Sequence, residues 1–419
     1  MCGGLARAEE FSDTSESLPA AEGERPEWLR KTQEHVSLTG YAEAIHSLRF
    51  AQPDDAPASR ARLHLESEVD FNPVYGFISA DAEKNWAIPD ETGVKLQELW
   101  MDYVGTGWDV RVGSQIIIWG KADGVQVTDI ISPPDYTEAM TRDLDGIRMP
   151  VDAAKVRFTR LPLLGRELTL ELIAIPVFRE AELPKGRNPW AMERPTPAGM
   201  YMHKADKPDV SFENMEFAAK VSGYFSGLDV AVSIFHTWDD TPVSFYSVEN
   251  GAVHIRPEYK RMTVAGLEFS RPWSDFVFRG EAALYLGRYR AAAHGEPMPK
   301  DSLKWLLGLD WTPGDDWTVG MQIVTESIFD YHPNLEADAH DTLLTLNISK
   351  KMYNQLLTLS NMVFVDANDG NFYNRAKAEY ELGDGLYWSV GVDYFSTGRG
   401  QYGVYHDNSF VWTKLKYSF

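Results

Sequence analysis

Charged side chains in this chain stand at every second residue of segments whose other positions are apolar, and that spacing sets the chemistry open to them. Arg111 and Gln115 share one face of a two-residue period, as do Lys155 with Arg157, Lys220 with Glu216, Arg279 with Glu281, and Arg375 with Lys377, Glu379 and Glu381. Glu98, Asp102, Glu171 and Asp393 belong to the same faces. Isolated charges in an apolar interior are prohibitive, so groups in this pattern must meet one another or water. What they can do is make ionic contacts and hydrogen bonds with a polar solute along a solvated surface. Nucleophilic, redox and metal chemistry lack the residues: one Cys, ten scattered His, and no H-E-x-x-H or G-x-S-x-G segment. No catalytic residue, metal site or cofactor is expected, and the chain is not read as an enzyme.

Two segments imitate ligand motifs. Gly398-Arg399-Gly400-Gln401-Tyr402-Gly403 matches G-x-G-x-x-G, but strand texture follows it, whereas a phosphate cradle needs a helix amino terminus. It reads as an outer loop. Asp366 to Asn371 departs from the spacing of a calcium loop and has no closing Glu, so a hairpin turn is expected. His236, near Trp238, reads as an interface residue rather than a base.

The elements that must position the charged faces are strands. In Leu386-Trp388-Val390-Val392-Tyr394 the intervening residues are Tyr387, Ser389, Gly391, Asp393 and Phe395, and Leu303-Trp305-Leu307-Leu309-Trp311 repeats the pattern. Eighteen such segments are predicted, among them 108–119 and 167–178. The gaps between them alternate. One set is tight, including 105–107, 225–227, 271–273 and 383–385; the other is mostly long, up to 120–152 and 179–212. Short turns at one end, long loops at the other and an even strand number are the plan of an outer-membrane barrel. The fold class is therefore all-β, a closed antiparallel transmembrane β-barrel of about 18 strands, with 16 as the alternative, short periplasmic turns and long extracellular loops.

The barrel is assigned to residues 37–419. Residues 9–36 are polar and read as an N-terminal tail or small periplasmic plug. Residues 1–8 read as a signal-peptide remnant, with Ala6-Arg7-Ala8 as a small-x-small cleavage site. Aromatic residues at 12% exclude a disordered chain. No apolar run reaches the roughly 18 to 20 residues of a spanning helix; the richest, Leu168 to Phe178, is interrupted by Glu171 and Pro176. A net charge of -22 argues against nucleic acid as a partner. The last segment carries Val411, Thr413, Leu415, Tyr417 and Phe419 at alternate positions, a pattern similar to the terminal signal that the barrel assembly machinery of Gram-negative bacteria pairs as an edge strand.

Arg111-Val112-Gly113-Ser114-Gln115-Ile116-Ile117-Ile118-Trp119-Gly120, followed by Ala122-Asp123-Gly124, Thr128-Asp129 and Pro133-Pro134-Asp135, resembles the R-x-G-x-Q-x-x-x-W-G segment of a porin-like Gram-negative outer-membrane β-barrel family of unknown function. The resemblance covers residues 94–160 best, extends over the remaining barrel and does not reach residues 1–36. Ser114 stands where many members carry Arg or Lys. The resemblance implies an outer-membrane location and, by association, work beside an inner-membrane exporter of apolar molecules.

Together these readings predict a channel for small or amphipathic solutes through a lumen of mixed charge. Its pore-lining set is Arg111, Gln115, Trp119, Asp123, Asp129, Lys155, Arg157, Glu171, Lys220, Arg279, Glu281, Arg375, Lys377 and Glu379. The segment 120–152 carries Asp123, Asp129, Asp135, Asp143 and Asp145 and is the first candidate for a constriction folded into the lumen, its acids balanced by Arg111 and Arg157; the alternative is a solvated outer loop. Inward aromatics, Trp119, Tyr285, Tyr373 and Tyr387, either line a solute path or pack beneath infolded loops. The expected partners are outer-membrane lipid and lipopolysaccharide, the barrel assembly machinery, a small-molecule solute and an exporter, with a homotrimer as the porin-like assembly. Two other functional classes remain open: an outer-membrane barrel enzyme of lipase or protease type, and a soluble periplasmic binding protein.

Overall fold

Strict alternation carries through whole strands: in Leu386–Phe395, Trp388, Val390, Val392 and Tyr394 are exposed, while Ser389, Gly391, Asp393 and Phe395 are buried. A ribbon with two such unlike faces buries the polar one by closing on itself, which also removes every sheet edge. The computed structural model describes residues 35–52, 55–138, 140–142, 144–163, 166–192 and 199–419. In order, the strands are β1 (Val36–Arg49), β2 (Ser59–Phe71), β3 (Val74–Asn85), β4 (Gly93–Gly105), β5 (Trp108–Gln115), β6 (Val151–Leu163), β7 (Arg166–Ile175), β8 (Met200–Met202), β9 (Glu216–Tyr224), β10 (Asp229–Trp238), β11 (Val243–Glu249), β12 (Ala252–Glu258), β13 (Arg261–Trp273), β14 (Phe276–Arg290), β15 (Met298–Trp311), β16 (Trp317–Ile328), β17 (His340–Met352), β18 (Leu357–Asp366), β19 (Phe372–Gly383), β20 (Leu386–Phe395) and β21 (Phe410–Ser418).

Eighteen of these form one antiparallel sheet, closed where β21 pairs β1 with Ala44 opposite Leu415 and Leu48 opposite Val411. Phe419 and Gly40 exchange two backbone hydrogen bonds of 3.0 Å at the seam. The remaining three, β8, β11 and β12, make a small sheet in the connections at the loop end; they lie in stretches that the sequence pattern assigned to loops or, at 257–258, to the start of a barrel strand. The tail and the remnant, residues 1–34, lie outside the described residues.

Three of the boundaries that differ from the sequence reading bear on the site or its turns, each for a physical reason. The turn expected at 271–273 is strand, because Trp273 pairs Phe276 and the reversal falls on Ser274-Asp275, where Ser274 adopts φ +53°. Strand β5 ends at Gln115 instead of 119. There the backbone leaves the ladder, and its donors find side chains: Ile117 N–H reaches Ser132 Oγ at 2.9 Å and Trp119 N–H reaches Asp129 Oδ1 at 3.0 Å. Strand β7 likewise stops at Ile175, which packs with Ile117, Trp119, Ile131, Val151 and Ile173 in an apolar cluster inside the barrel. A six-residue 3-10 helix, Gly403–Asn408, begins at the last glycine of the G-x-G-x-x-G segment, within the stretch read as an outer loop before the final strand. The turn after Asp366 is as read, with the Asp366 carboxylate accepting the N–H groups of Asn368 and Asp369.

Candidate functional site: a lumen narrowed by the segment after β5

Arg111 begins the stretch that turns the chain inward. Its guanidinium pairs with Asp102 at 3.0 Å and lies 3.5 Å over the Trp100 ring. Gly113 sits at φ +137°, where a side chain would overlap the Leu99 carbonyl and Trp100. Gln115 is fully buried and donates to the Ala153 carbonyl at 3.0 Å. The Trp119 indole N–H donates to Glu171 at 2.7 Å, and the Lys220 ammonium lies over the same ring. Gly120, at φ +98°, completes the turn where a Cβ would stand 3.0 Å from the Glu281 carboxylate. Ser114 belongs to the opposite, outward face of β5, opposite Asp152 and Leu99, so it is remote from the lumen.

The segment 116–150 then crosses the barrel. Glu281 of β14 accepts from the backbone N–H of Lys121, of Ala122 at 2.6 Å and of Thr128 at 3.1 Å, and from Thr128 Oγ1 at 2.8 Å. Arg279 holds the Lys121 carbonyl at 2.6 Å and the Asp123 carboxylate, while Tyr285 donates to the Val127 carbonyl at 3.0 Å. Returning, the segment inserts Glu138 between Arg60 at 3.3 Å, Arg142 at 2.6 Å and Asn85 at 2.8 Å. Arg142 also reaches Glu83 of β3 at 3.0 Å, and Arg375 of β19 donates to the Met140 carbonyl at 2.5 Å. Burial pushes the Glu138 carboxyl up, but the Arg60 and Arg142 guanidiniums outweigh it and hold the group below the ordinary glutamate value. At Asp129 the balance goes the other way: burial raises its carboxyl despite the pairing with Arg148 at 2.7 Å.

Cross-strand registers put the other predicted residues on the inner face. Asp109, Arg157, Glu171 and Lys220 form one row across β5, β6, β7 and β9, and Arg111 stands opposite Lys155 in the next. Arg157 pairs Asp109 at 2.8 Å and Lys220 pairs Glu268 at 2.9 Å. Arg375 pairs Asp393 at 2.8 Å, and Lys377 meets Glu379 at 3.3 Å. Trp119, Asp123 and Asp129 lie on the infolded segment.

One pairing expectation is corrected. The acids of 120–152 are not balanced by Arg111 and Arg157, which are taken by Asp102 and Asp109; Asp123 pairs Arg279 and Asp129 pairs Arg148. The side chains of Asp143 and Asp145 lie outside the described residues. Of the inward aromatics, Tyr285 and Tyr373 are packed, the first beneath Val127 and the second stacked on Phe395 with its hydroxyl on Asp393.

Two cavities flank the segment. One, of about 290 Å³, lies between Val125, Met140, Ile147 and Arg148 of the segment and the wall of β15 to β19. The other, of about 460 Å³, lies against β2 to β4 and is lined by charged groups including Arg62, His64, Asp81 and Lys95. Arg148 borders both. Sequence reasoning missed Lys304, Glu326 and Asp341 on the first wall, because attention to the apolar face of β15 passed over the residues between; the period of two itself was the signal that could have found them. It also missed the Arg60–Glu138–Arg142 knot, in which Arg60 lies on a strand far from the other two in sequence.

A family model described as a protein of unknown function (DUF1302) matches residues 89–284, a span holding the motif, the infolded segment, Arg279 and Glu281. No curated protein matches the chain. Among solved structures, the chain is similar to a mutant of the Rh. blastica porin, at 12% identity over 92% of this chain and 100% of that one, with a TM-score of 0.44. It is similar to the outer membrane channel DcaP of Acinetobacter baumannii at 11% identity over 92% and 97%, with a TM-score of 0.45. OmpF of Salmonella typhi, in a complex with daunomycin, gives 10% identity over 92% and 97% and a TM-score of 0.46.

Proposed function

We propose that this chain is a porin-like channel of a Gram-negative outer membrane, passing small or amphipathic solutes through a lumen of mixed charge. The observation that carries the reading is the pairing of one exposed apolar outer face with a charged inner face in a closed cylinder that a chain segment narrows from within. In hydrocarbon every backbone amide must be paired internally, and a closed barrel satisfies this while an open sheet does not. The outward residues suit lipid: Leu307, Met321, Val390 and Leu415 are exposed at mid-strand, and Trp273, Trp311, Trp317 and Trp388 are exposed toward strand ends, where an aromatic girdle belongs. Such a surface would aggregate in water, which disfavours a soluble binding protein. Among the described residues the Ser–His contacts, His46 with Ser59 and His340 with Ser327, have no acid hydrogen-bonded to the imidazole, which gives the enzyme alternative no support.

On this reading the short turns face the periplasm and the long connections face outside. Val411, Thr413, Leu415 and Tyr417, outward on β21, and Phe419 just past its end serve as the assembly signal; lipopolysaccharide contacts the loop end. Trimer formation and coupling to an inner-membrane exporter belong to the same proposal. Purified protein in a planar bilayer should give discrete conductance steps, and carbonate extraction should leave the chain in the membrane pellet. Silent bilayers across several preparations would reject the channel, and recovery in the carbonate supernatant would reject the membrane location.

A further inference from the structure

The cavity against β15 to β19 is bordered by two charged side chains that lack a hydrogen bond or ion pair among the described residues. Five charged side chains border it: Arg148, Lys304, Glu326, Asp341 and Arg375. Arg148 is engaged by Asp129, Arg375 by Asp393 and the Met140 carbonyl, and Glu326 by Arg290 and by Ser302 Oγ at 2.7 Å. The side chains of Lys304 and Asp341 make no hydrogen bond or ion pair with any of the described residues. They occupy one cross-strand row, Lys304 opposite Glu326 and Glu326 opposite Asp341, with Glu326 turned to Arg290 between them. Two strand spacings separate their backbones, about 9.5 Å. Beside this row lie Val324, Leu343 and Phe364, an apolar floor faced by Val125 and Ile147 from the infolded segment.

We infer that this cavity is a binding site for an amphipathic zwitterion of dipeptide size, its carboxylate on Lys304, its ammonium on Asp341 and its apolar body on Val324, Leu343 and Phe364. A neutral apolar solute would displace water from both charges and partner neither; a singly charged one would leave the other desolvated, which is the costly outcome. A zwitterion satisfies both, with charge-assisted hydrogen bonds at each end. An extended dipeptide, about 7 Å end to end, with one such bond at each terminus bridges the separation. The volume of about 290 Å³ leaves no room for a long chain. The site deepens the channel reading and rests on it, because a solute reaches the row only through the lumen.

The test is titration calorimetry of the full chain folded in detergent against three peptides: free alanyl-phenylalanine, its N-acetyl form and its C-terminal amide. The free peptide should bind about tenfold or more tightly than either capped form, since each capped form lacks one charged contact worth at least one decade. Lys304→Met should bring the free peptide down to the amide, and Asp341→Asn should bring it down to the N-acetyl form. A heat-induced gel shift confirms that each variant is folded. Equal affinity of the three peptides for the unmutated chain overturns the inference without any variant. Conductance without preference for the free peptide rejects this site and leaves the channel standing; preferential binding without conductance keeps the site and rejects the channel.

Discussion

Glu281 on the barrel wall and Thr128 on the infolded segment are joined twice, the Thr128 N–H at 3.1 Å and its hydroxyl at 2.8 Å both ending on the same carboxylate oxygen. With the Lys121 and Ala122 amides on the other oxygen, one side chain holds both ends of the stretch 121–128 that follows the turn at Gly120. Glu281→Ala orphans four donors, each costing about 1–3 kcal/mol if it stays buried. The segment should therefore leave the wall instead of staying unpaired. Single-channel recording should show conductance raised by about twofold with added noise, as a constriction relaxes. Gly120→Ala, which places a methyl against the same carboxylate at a positive φ, should act in the same direction. Unchanged conductance and noise in both variants would mean that the segment does not narrow the path.

The barrel was legible in the sequence because its rule is local. A period of two in Leu386 to Phe395 assigns each residue to a face without knowledge of any partner, and the sorting of gaps by length assigns the ends. The infolded segment was legible only as a long gap full of acids. Its course depends on who receives Asp123 and Glu138, and those partners, Arg279 and Arg60, lie on strands far along the chain. Nothing in the spacing of Arg111 or Arg157 tells that Asp102 and Asp109 have already claimed them. Pairing is a three-dimensional fact; facing is a one-dimensional one.

Lys220 and Glu268 form a nearly buried pair, with side-chain exposures of 16% and 2%. Lys220→Met strands a carboxylate in the wall and should cost about 3–5 kcal/mol, as for other broken buried pairs. Replacing both, Lys220→Met with Glu268→Gln, should return much of that loss, since the remaining groups carry no charge. The temperature at which the folded gel band disappears measures these two variants and the single Glu268→Gln that completes the cycle. Additive losses in the double variant would show that the two residues do not act as a pair.

Asp123 is the exposed member of the cluster with Arg279, which also holds Asp310 at 2.6 Å. Asp123→Asn leaves that guanidinium still partnered, so stability should change by less than about 1 kcal/mol. The local charge, however, rises by one at the narrowed level. The reversal potential across a potassium chloride gradient should move toward anion preference, and Asp310→Asn should move it the same way. A shift toward cations in either variant would place this cluster away from the ion path.

Acid should unlock the returning half of the segment through Glu138. The side chain is fully buried, and its two guanidinium partners hold its carboxyl below the ordinary value of 4.5 in spite of the burial that opposes them. A depressed carboxyl contributes stability that is complete above the unfolded-chain value and is lost as pH falls through the lower, folded one. Current through the barrel should thus stay steady from neutral pH down to about pH 5 and become noisy only below about pH 4, where protonation takes from Arg60 its counter-charge and leaves Arg142 with Glu83 alone. Glu138→Gln should show the same noise at neutral pH and lose the acid step. Recordings at stepped pH on both proteins decide the matter: a transition between pH 6 and 8, or an acid step surviving in the variant, would assign the unlocking to another group.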